Sequence, residues 1–249
     1  MTKKKKIIIG VIAILAVAAA VICVIFCCGK EKYKQSALDF KAEYEKVNGK
    51  VMINDIKYRT LDIDKNNPYV KVSIDEIAKK IKNGDTFYLY VGDHLCPWCR
   101  SGLEKMIEVA NKQGIETIYY VDFWDDDHNE ILRDLYDVEV KNGKVTKVTQ
   151  TKEATDGYKV LYEAVYDFIQ DYTVSKDKVE YPVGDGIKKV YGGDHFYFNK
   201  GKCERYVSLR VPSLEKATDE LTKAVLKEQE DLFTKFFTPS NVCNSSSNC

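Results

Sequence analysis

Hydrophobic positions along this chain fall into continuous, helical and alternating spacings. From Ile7 to Cys28 the run is unbroken and uncharged. Its 22 residues would span about 33 Å as a helix, enough for a hydrocarbon core of about 30 Å. Tyr33, Ala37, Phe40 and Tyr44 then recur at helical spacing and predict a helix within Glu31 to Asn48, either a juxtamembrane stalk or a packed first element. Val51 to Ile63 alternates weakly, as a short hairpin would, and Tyr69 to Val72 reads as a strand. Ser73 and Glu76 form a capping box ahead of Ile74, Ile77, Ala78 and Ile81, and Asn83-Gly84 stops that helix. "TFYLYV", Thr86 to Val91, has the composition of a buried central strand. Leu103, Met106, Ile107 and Ala110 mark a second helix capped near Gly114, and Ile115 to Phe123 predicts another strand. Strand, helix, strand, helix, strand implies an α/β fold around a parallel sheet.

Beyond Phe123, Asp125, Asp126, Asp127 and His128 are expected to open a helix carrying Ile131, Leu132 and Leu135, the carboxylates favouring its N-terminus rather than a metal. Val138 to Val148 reads as a hairpin turned by Asn142-Gly143, and Leu161, Ala164, Val165 and Phe168 as an amphipathic helix. "HFYFNKGKCERYV" predicts an antiparallel pair turning through Gly201. Leu214, Ala217, Leu221, Ala224 and Val225 predict a C-terminal helix over 214–237, followed by a polar tail, 238–249.

Charge orients these pieces. Lys3 to Lys6 precede the apolar run and none lies inside it, which favours a cytoplasmic tip at residues 1–6, a transmembrane anchor at 7–28 and an exported remainder. Secretion after cleavage near Ala16-Val17-Ala18 or Ala18-Ala19-Ala20 is the alternative, but the apolar run continues past both sites. Cys23 follows Ile22 and Cys27 follows Phe26, where lipid attachment would want a small residue. The 38 basic and 38 acidic residues cancel, so with four lysines in the cytoplasm the exported part is mildly acidic. Such a balance argues against a nucleic-acid surface.

The exported part carries five of the eight cysteines, Cys96, Cys99, Cys203, Cys243 and Cys249. An oxidising exterior lets disulfides persist, and an odd number leaves one thiol free or paired between chains. Cys243 and Cys249 bridge each other, or one pairs with Cys203; spacing does not choose. Cys96 and Cys99 enclose Pro97 and Trp98 between a buried strand and a helix. No second C-x-x-C offers further zinc ligands, His94, His128 and His195 form no ligand pair by spacing, and so short a loop makes a poor structural crosslink. Thiol exchange fits better: a helix starting near Cys96 would stabilise its thiolate. Pro97 suits the first turn, Arg100 adds positive charge, and Cys99 is placed to resolve a mixed disulfide. His94 either lowers the thiolate's energy when charged or is an exposed loop residue. Trp98 is expected to face a partner, having nowhere to bury at a turn.

"TFYLYVGDHLCPWCRSGLEKMIEVANKQGIETIYYVDF" resembles the strand–CxxC–helix–strand core of the thioredoxin superfamily, and "DHFYFNKGKCERYV" is similar to its closing hairpin. More narrowly, the anchored chain resembles exported bacterial proteins of the bacteriocin-transport-accessory type. The resemblance implies a thioredoxin-like domain over 51–237 with an insertion at about 138–185, preceded by a linker at 29–50. It implies Cys96 as nucleophile and Cys99 as resolving thiol. Gly193, beside Asp194, stands where the family has a cis-proline, and Tyr90 where it has a buried acid. The expected function is extracytoplasmic thiol–disulfide exchange with exported proteins or peptides, supplied by a membrane or extracellular redox partner and needing no dissociable cofactor or metal. The alternative is an accessory module that binds a secreted peptide or protein with little redox turnover.

Overall fold

The computed structural model describes residues 31, 33–51, 57–125, 129–184 and 186–238. The expected anchor at 7–28 and the tail with Cys243 and Cys249 lie outside them. Among the described residues no helix is long and apolar enough to cross a membrane.

A first helix, α1 (residues 33–45), is a packed element rather than a stalk: Ala37, Phe40 and Tyr44 are buried. Of the expected hairpin at 51–63, residues 52–56 lie outside the described residues, and the described ones show a Val51–Lys57 bridge. Side chains of α1 and its end capture the following segment instead. Asn48 exchanges hydrogen bonds with the Leu61 backbone (2.7 and 3.0 Å), and Glu45 accepts the Ile63 N–H at 2.7 Å. That capture drives Leu61 and Ile63 into the core without a strand partner.

Next come β1 (Tyr69–Lys71), α2 (Ile74–Asn83), β2 (Phe87–Gly92), α3 (Pro97–Lys112) and β3 (Ile118–Asp122). Ser73 caps α2 by accepting the Glu76 N–H, and Gly84 ends it at φ 75°, a left-handed conformation open to glycine. After β3 no helix forms at 129–134. Glu130 accepts the backbone N–H groups of Leu132 (3.1 Å) and Arg133 (3.3 Å) and pairs with the Arg133 guanidinium, closing a local turn; Leu135 already belongs to a strand. Asp126, Asp127 and His128 lie outside the described residues. The strands β4 (Leu135–Lys141) and β5 (Lys144–Lys152) form the expected hairpin, with Asn142 (φ 51°) and Gly143 (φ 73°) at its tip.

There follow α4 (Asp156–Val165) and the short strands β6 (Gln170–Asp171), β7 (Thr173–Lys176), β8 (Val179–Pro182) and β9 (Lys188–Lys189). The pair β10 (Asp194–Asn199) and β11 (Lys202–Ser208) turns through Lys200-Gly201. The last helix, α5, runs Lys223–Phe237 rather than from Leu214. Thr222 caps it by accepting the Val225 N–H. Upstream, Leu214 donates to the Val211 carbonyl and Lys216 to the Asp219 side chain, so Leu214 and Ala217 are buried by turns instead of a helix.

The main sheet has the order β1-β3-β2-β10-β11; β1, β3 and β2 are parallel, and β10 and β11 antiparallel. Alternation along β2 divides the core. Phe87, Leu89 and Val91 meet α2 and α4 on one face, with Phe196 and Phe198 of β10. Tyr90 points to the other face, toward Phe40 and Tyr44 of α1, Leu103 and Met106 of α3 and Phe233 and Phe236 of α5. The segment expected as an insertion, 138–185, therefore contributes α4 to the main core, through Leu161 and Val165, as well as the added strands.

Candidate active site around Cys96 and Cys99

The end of β2 delivers the chain to the cysteine turn, and Cys96 is the N-cap of α3. Its sulfur accepts the Cys99 backbone N–H at 3.4 Å. Pro97 occupies the first turn, where its missing N–H removes no helical bond. The Cys96 thiol is held below its usual pKa by hydrogen bonding to the Cys99 side chain and to the backbone N–H groups of Cys99 and Trp98, which together outweigh its burial and the nearby Asp93 carboxylate. Cys99, fully buried beneath, is pushed well above the ordinary thiol range by desolvation and by Cys96. Both are free thiols. One sulfur is thus activated and partly exposed, the other protonated and enclosed.

Beside Cys96 opens a cavity of about 410 Å³, lined by Trp98, Tyr191, Gly192, Asp194 and Arg210. Asp171, Thr173 and Glu180 of the short added strands form its far wall. Asp194, buried, is pushed up to about 7 by desolvation, although its carboxylate accepts the Tyr191 N–H (2.9 Å) and the Tyr206 hydroxyl (3.0 Å).

The glycine that meets the sulfurs is Gly192. A β-carbon there would lie 3.2 Å from Cys99 Sγ and 3.3 Å from Cys96 Sγ, whereas one on Gly193 would meet Leu209. Gly193, at φ 105°, instead joins two strands: its N–H donates to the Val91 carbonyl (3.0 Å) and its carbonyl accepts the Leu209 N–H (3.0 Å). The described residues contain no cis peptide bond.

Arg100 does not lend its charge to the Cys96 thiolate. It is buried, and its guanidinium donates to the carbonyls of Tyr44 (2.6 Å), Arg59 (2.6 and 3.0 Å) and His94 (3.3 Å) and to Asn48 Oδ1 (2.6 Å). Helical spacing points residue 100 away from the N-terminal turn's open side, and α1 and the 59–63 segment supply carbonyls there. Trp98 also differs from expectation. It packs against Val211, Leu214 and Val225, with the Arg210 guanidinium 4.6 Å above its ring. The segment between β11 and α5 provides the burial that a turn lacks.

His94 is buried rather than exposed, its Nδ1 3.4 Å from Asp93 Oδ1 and 3.8 Å from Glu43 Oε1. Ligand atoms of Glu43, His94 and Asp122 lie within 4.8 Å of one another. Lys71 Nζ already sits 3.0 Å from Glu43 and 3.4 Å from Asp122, so we read this group as an ion-pair network. Cys203, on β11, is half-buried, donates to the Arg205 carbonyl at 3.7 Å and is pushed up to about 12 by desolvation.

Under the sulfurs lies Tyr90, fully buried, whose hydroxyl shares a 2.8 Å hydrogen bond with Tyr44. Gly192, Tyr191 and Arg210 escaped the sequence reading, and Tyr44 enters it only as part of the apolar face of a helix. Gly192 had a local signal, the Gly-Gly pair before a strand; Tyr44, on a distant helix, had none.

No protein-family model matches the chain, and no curated protein matches it in sequence.

Proposed function

We propose that this chain is a membrane-anchored, extracytoplasmic thiol–disulfide oxidoreductase of the thioredoxin type, exchanging disulfides with exported proteins through Cys96 and Cys99. The observation that carries the reading is the asymmetry of the pair: Cys96 caps α3 with its thiol held low beside a cavity, while Cys99 is buried and held high. A nucleophile must be a thiolate and reachable, and a resolving thiol must stay protonated until the mixed disulfide forms. The strand order, with two closing antiparallel strands after a parallel set, agrees with the resemblance carried by the cysteine motif. Anchoring rests on the apolar run at 7–28 behind four lysines.

In turnover, Cys96 S⁻ attacks a substrate disulfide, forming a Cys96–substrate bond and releasing the other substrate sulfur as thiolate. Cys99 then attacks Cys96 Sγ, the internal disulfide forms and the second substrate thiolate leaves. An external dithiol restores the pair.

A second reading, an accessory module that binds an exported peptide or protein, is favoured by glycines at 192 and 193 and a tyrosine at 90. The test is Cys99→Ser in the full chain expressed in its membrane. The oxidoreductase reading expects covalent partners released by reductant, and insulin-disulfide reduction by the parent chain. Neither appearing leaves the binding module. A topology reporter fused after residue 238 tests the exported orientation.

A further inference from the structure

The cavity beside Cys96 carries opposite charges on its two sides. On one side the Arg210 guanidinium lies 4.6 Å above the Trp98 ring, so a residue between the two cysteines fixes its place. Trp98 is itself held by Val211, Leu214 and Val225. Arg210 is exposed, and its guanidinium forms no ion pair or hydrogen bond with the described residues. On the far wall stand Asp171 and Glu180, also exposed and outside any ion pair among the described residues. Glu180 accepts the Thr173 hydroxyl at 2.7 Å, which orients the carboxylate without neutralising it. Lys189, from β9, lies over the rings of Tyr172 (4.3 Å) and Tyr191 (5.3 Å). Asp194 is buried and gives its oxygens to Tyr191 and Tyr206, so the reachable negative charge belongs to the added strands.

The space does not end at Arg210. A second cavity of about 430 Å³, bounded by Val211, Pro212, Leu214 and Glu215, shares Gln170 and Arg210 with the first. Two hollows meeting at one cation suit a continuing chain better than a small molecule held in either.

We propose that this cavity selects substrates by the residues beside the attacked cysteine: an exported polypeptide with an acidic residue on one side, held by Arg210, and a basic residue on the other, held by Asp171 and Glu180. The proposal rests on the oxidoreductase reading and names its substrate class. A guanidinium stacked on a ring keeps its N–H donors for a carboxylate, whose shape its planar fork matches. A basic side chain reaching the far wall meets the two carboxylates there. The opposed charges also fix the direction in which the chain crosses Cys96, because reversing it sets like against like. Exchange itself is unchanged: Cys96 S⁻ attacks one sulfur of the substrate disulfide, and the other leaves as thiolate.

The test uses the full chain carrying Cys99→Ser, which stops exchange at the mixed disulfide. It is mixed with the disulfide dimers of end-blocked peptides centred on Glu-Cys-Lys, Lys-Cys-Glu, Gln-Cys-Gln, Glu-Cys-Glu or Lys-Cys-Lys. Acid-quenched samples are mapped by mass for peptide bound to Cys96. Each rate is divided by that of the same dimer with mercaptoethanol, which removes the peptide's own reactivity. One mixed-charge order should exceed the neutral peptide about tenfold, and the reverse order and both single-sign peptides should not. Arg210→Gln should bring the favoured order within about threefold of neutral, whereas Arg210→Lys should keep most of the preference. Asp171→Asn combined with Glu180→Gln should act as Arg210→Gln does. Alkylation of Cys96 by neutral iodoacetamide should hold in every variant. An alkylation rate that falls with the peptide rates would make these charges modifiers of the thiol and overturn the proposal. Equal rates for all the peptides, or a preference that survives both charge removals, would overturn it too. No Cys96 adduct with any peptide, beside normal alkylation, overturns the oxidoreductase reading itself.

Discussion

The Tyr90 hydroxyl lies directly over Gly92: a β-carbon on Gly92 would stand 2.2 Å from both the oxygen and Cζ of Tyr90. Residues two apart on a strand share a face, and this ring leans along β2 until its hydroxyl reaches Tyr44. The pose is further fixed by Tyr120 and His195, stacked on the ring at 5.3 and 4.4 Å. Gly92→Ala must displace the phenol or the strand, and such overpacking costs about 1–3 kcal/mol. The expected result is a lower urea midpoint with an unchanged slope. A midpoint equal to the parent's would mean the phenol has room to move.

Gly192 governs access to the sulfurs. A methyl group there would touch both, at 3.2 and 3.3 Å, without demanding a left-handed backbone. Gly192→Ala is therefore expected to fold with near-parent stability while iodoacetamide modifies Cys96 about tenfold more slowly, a barrier rise of about 1.4 kcal/mol. Timed alkylation followed by mass mapping checks this. Equal rates would show that the approach to Cys96 does not pass Gly192.

The parts of this site readable from sequence are those fixed by neighbours along the chain. The β2–turn–α3 unit, the Ser73 cap and the Asn142-Gly143 hairpin each follow from a few adjacent residues, and the structure forms all three. Where distant segments decide, local reading fails. Arg100 resembles a surface charge until α1 and residue 59 surround it with carbonyls. Trp98 appears uncovered until residues 211–225 fold over it. At 130–133 a carboxylate took the backbone donors that a helix would have used, which hydrophobic spacing alone does not register.

Arg100 is a clamp, and its removal should show as lost stability more than lost chemistry. Its five contacts tie α3 to the end of α1, to Arg59 and to the loop at His94. Arg100→Met keeps much of the volume but strands buried carbonyls, each costing about 1–3 kcal/mol. The expected loss is about 3–5 kcal/mol, the range for breaking a buried charged network. The Cys96 alkylation rate per folded molecule should hold. A rate falling at unchanged stability would restore the electrostatic role.

Asp194 and His195 are adjacent on β10, and both are buried, but they oppose each other in the dependence of stability on pH. Desolvation raises Asp194 from 3.8 to about 7, so across that interval the folded chain keeps a proton that the unfolded chain has released. Stability from this group is full below pH 3.8 and falls as pH rises toward 7. Desolvation lowers His195 from 6.5 to about 3, its neutral ring lying between the Gly193 carbonyl (3.2 Å) and the Tyr69 hydroxyl (2.8 Å). Between those values the unfolded chain binds the extra proton, so stability from His195 is full above pH 6.5 and falls as pH drops toward 3. Each slope is at most about 1.4 kcal/mol per pH unit, and from about pH 4 to 6.5 they largely cancel. Asp194→Asn should make stability rise with pH across that window relative to the parent, and His195→Gln should make it fall. Urea unfolding of all three chains at pH 4.5, 5.5 and 6.5 measures the difference (conditions at roughly one-unit steps, as the slope requires). Parallel curves for parent and variants would mean that neither group stays buried in the protonation state its surroundings favour.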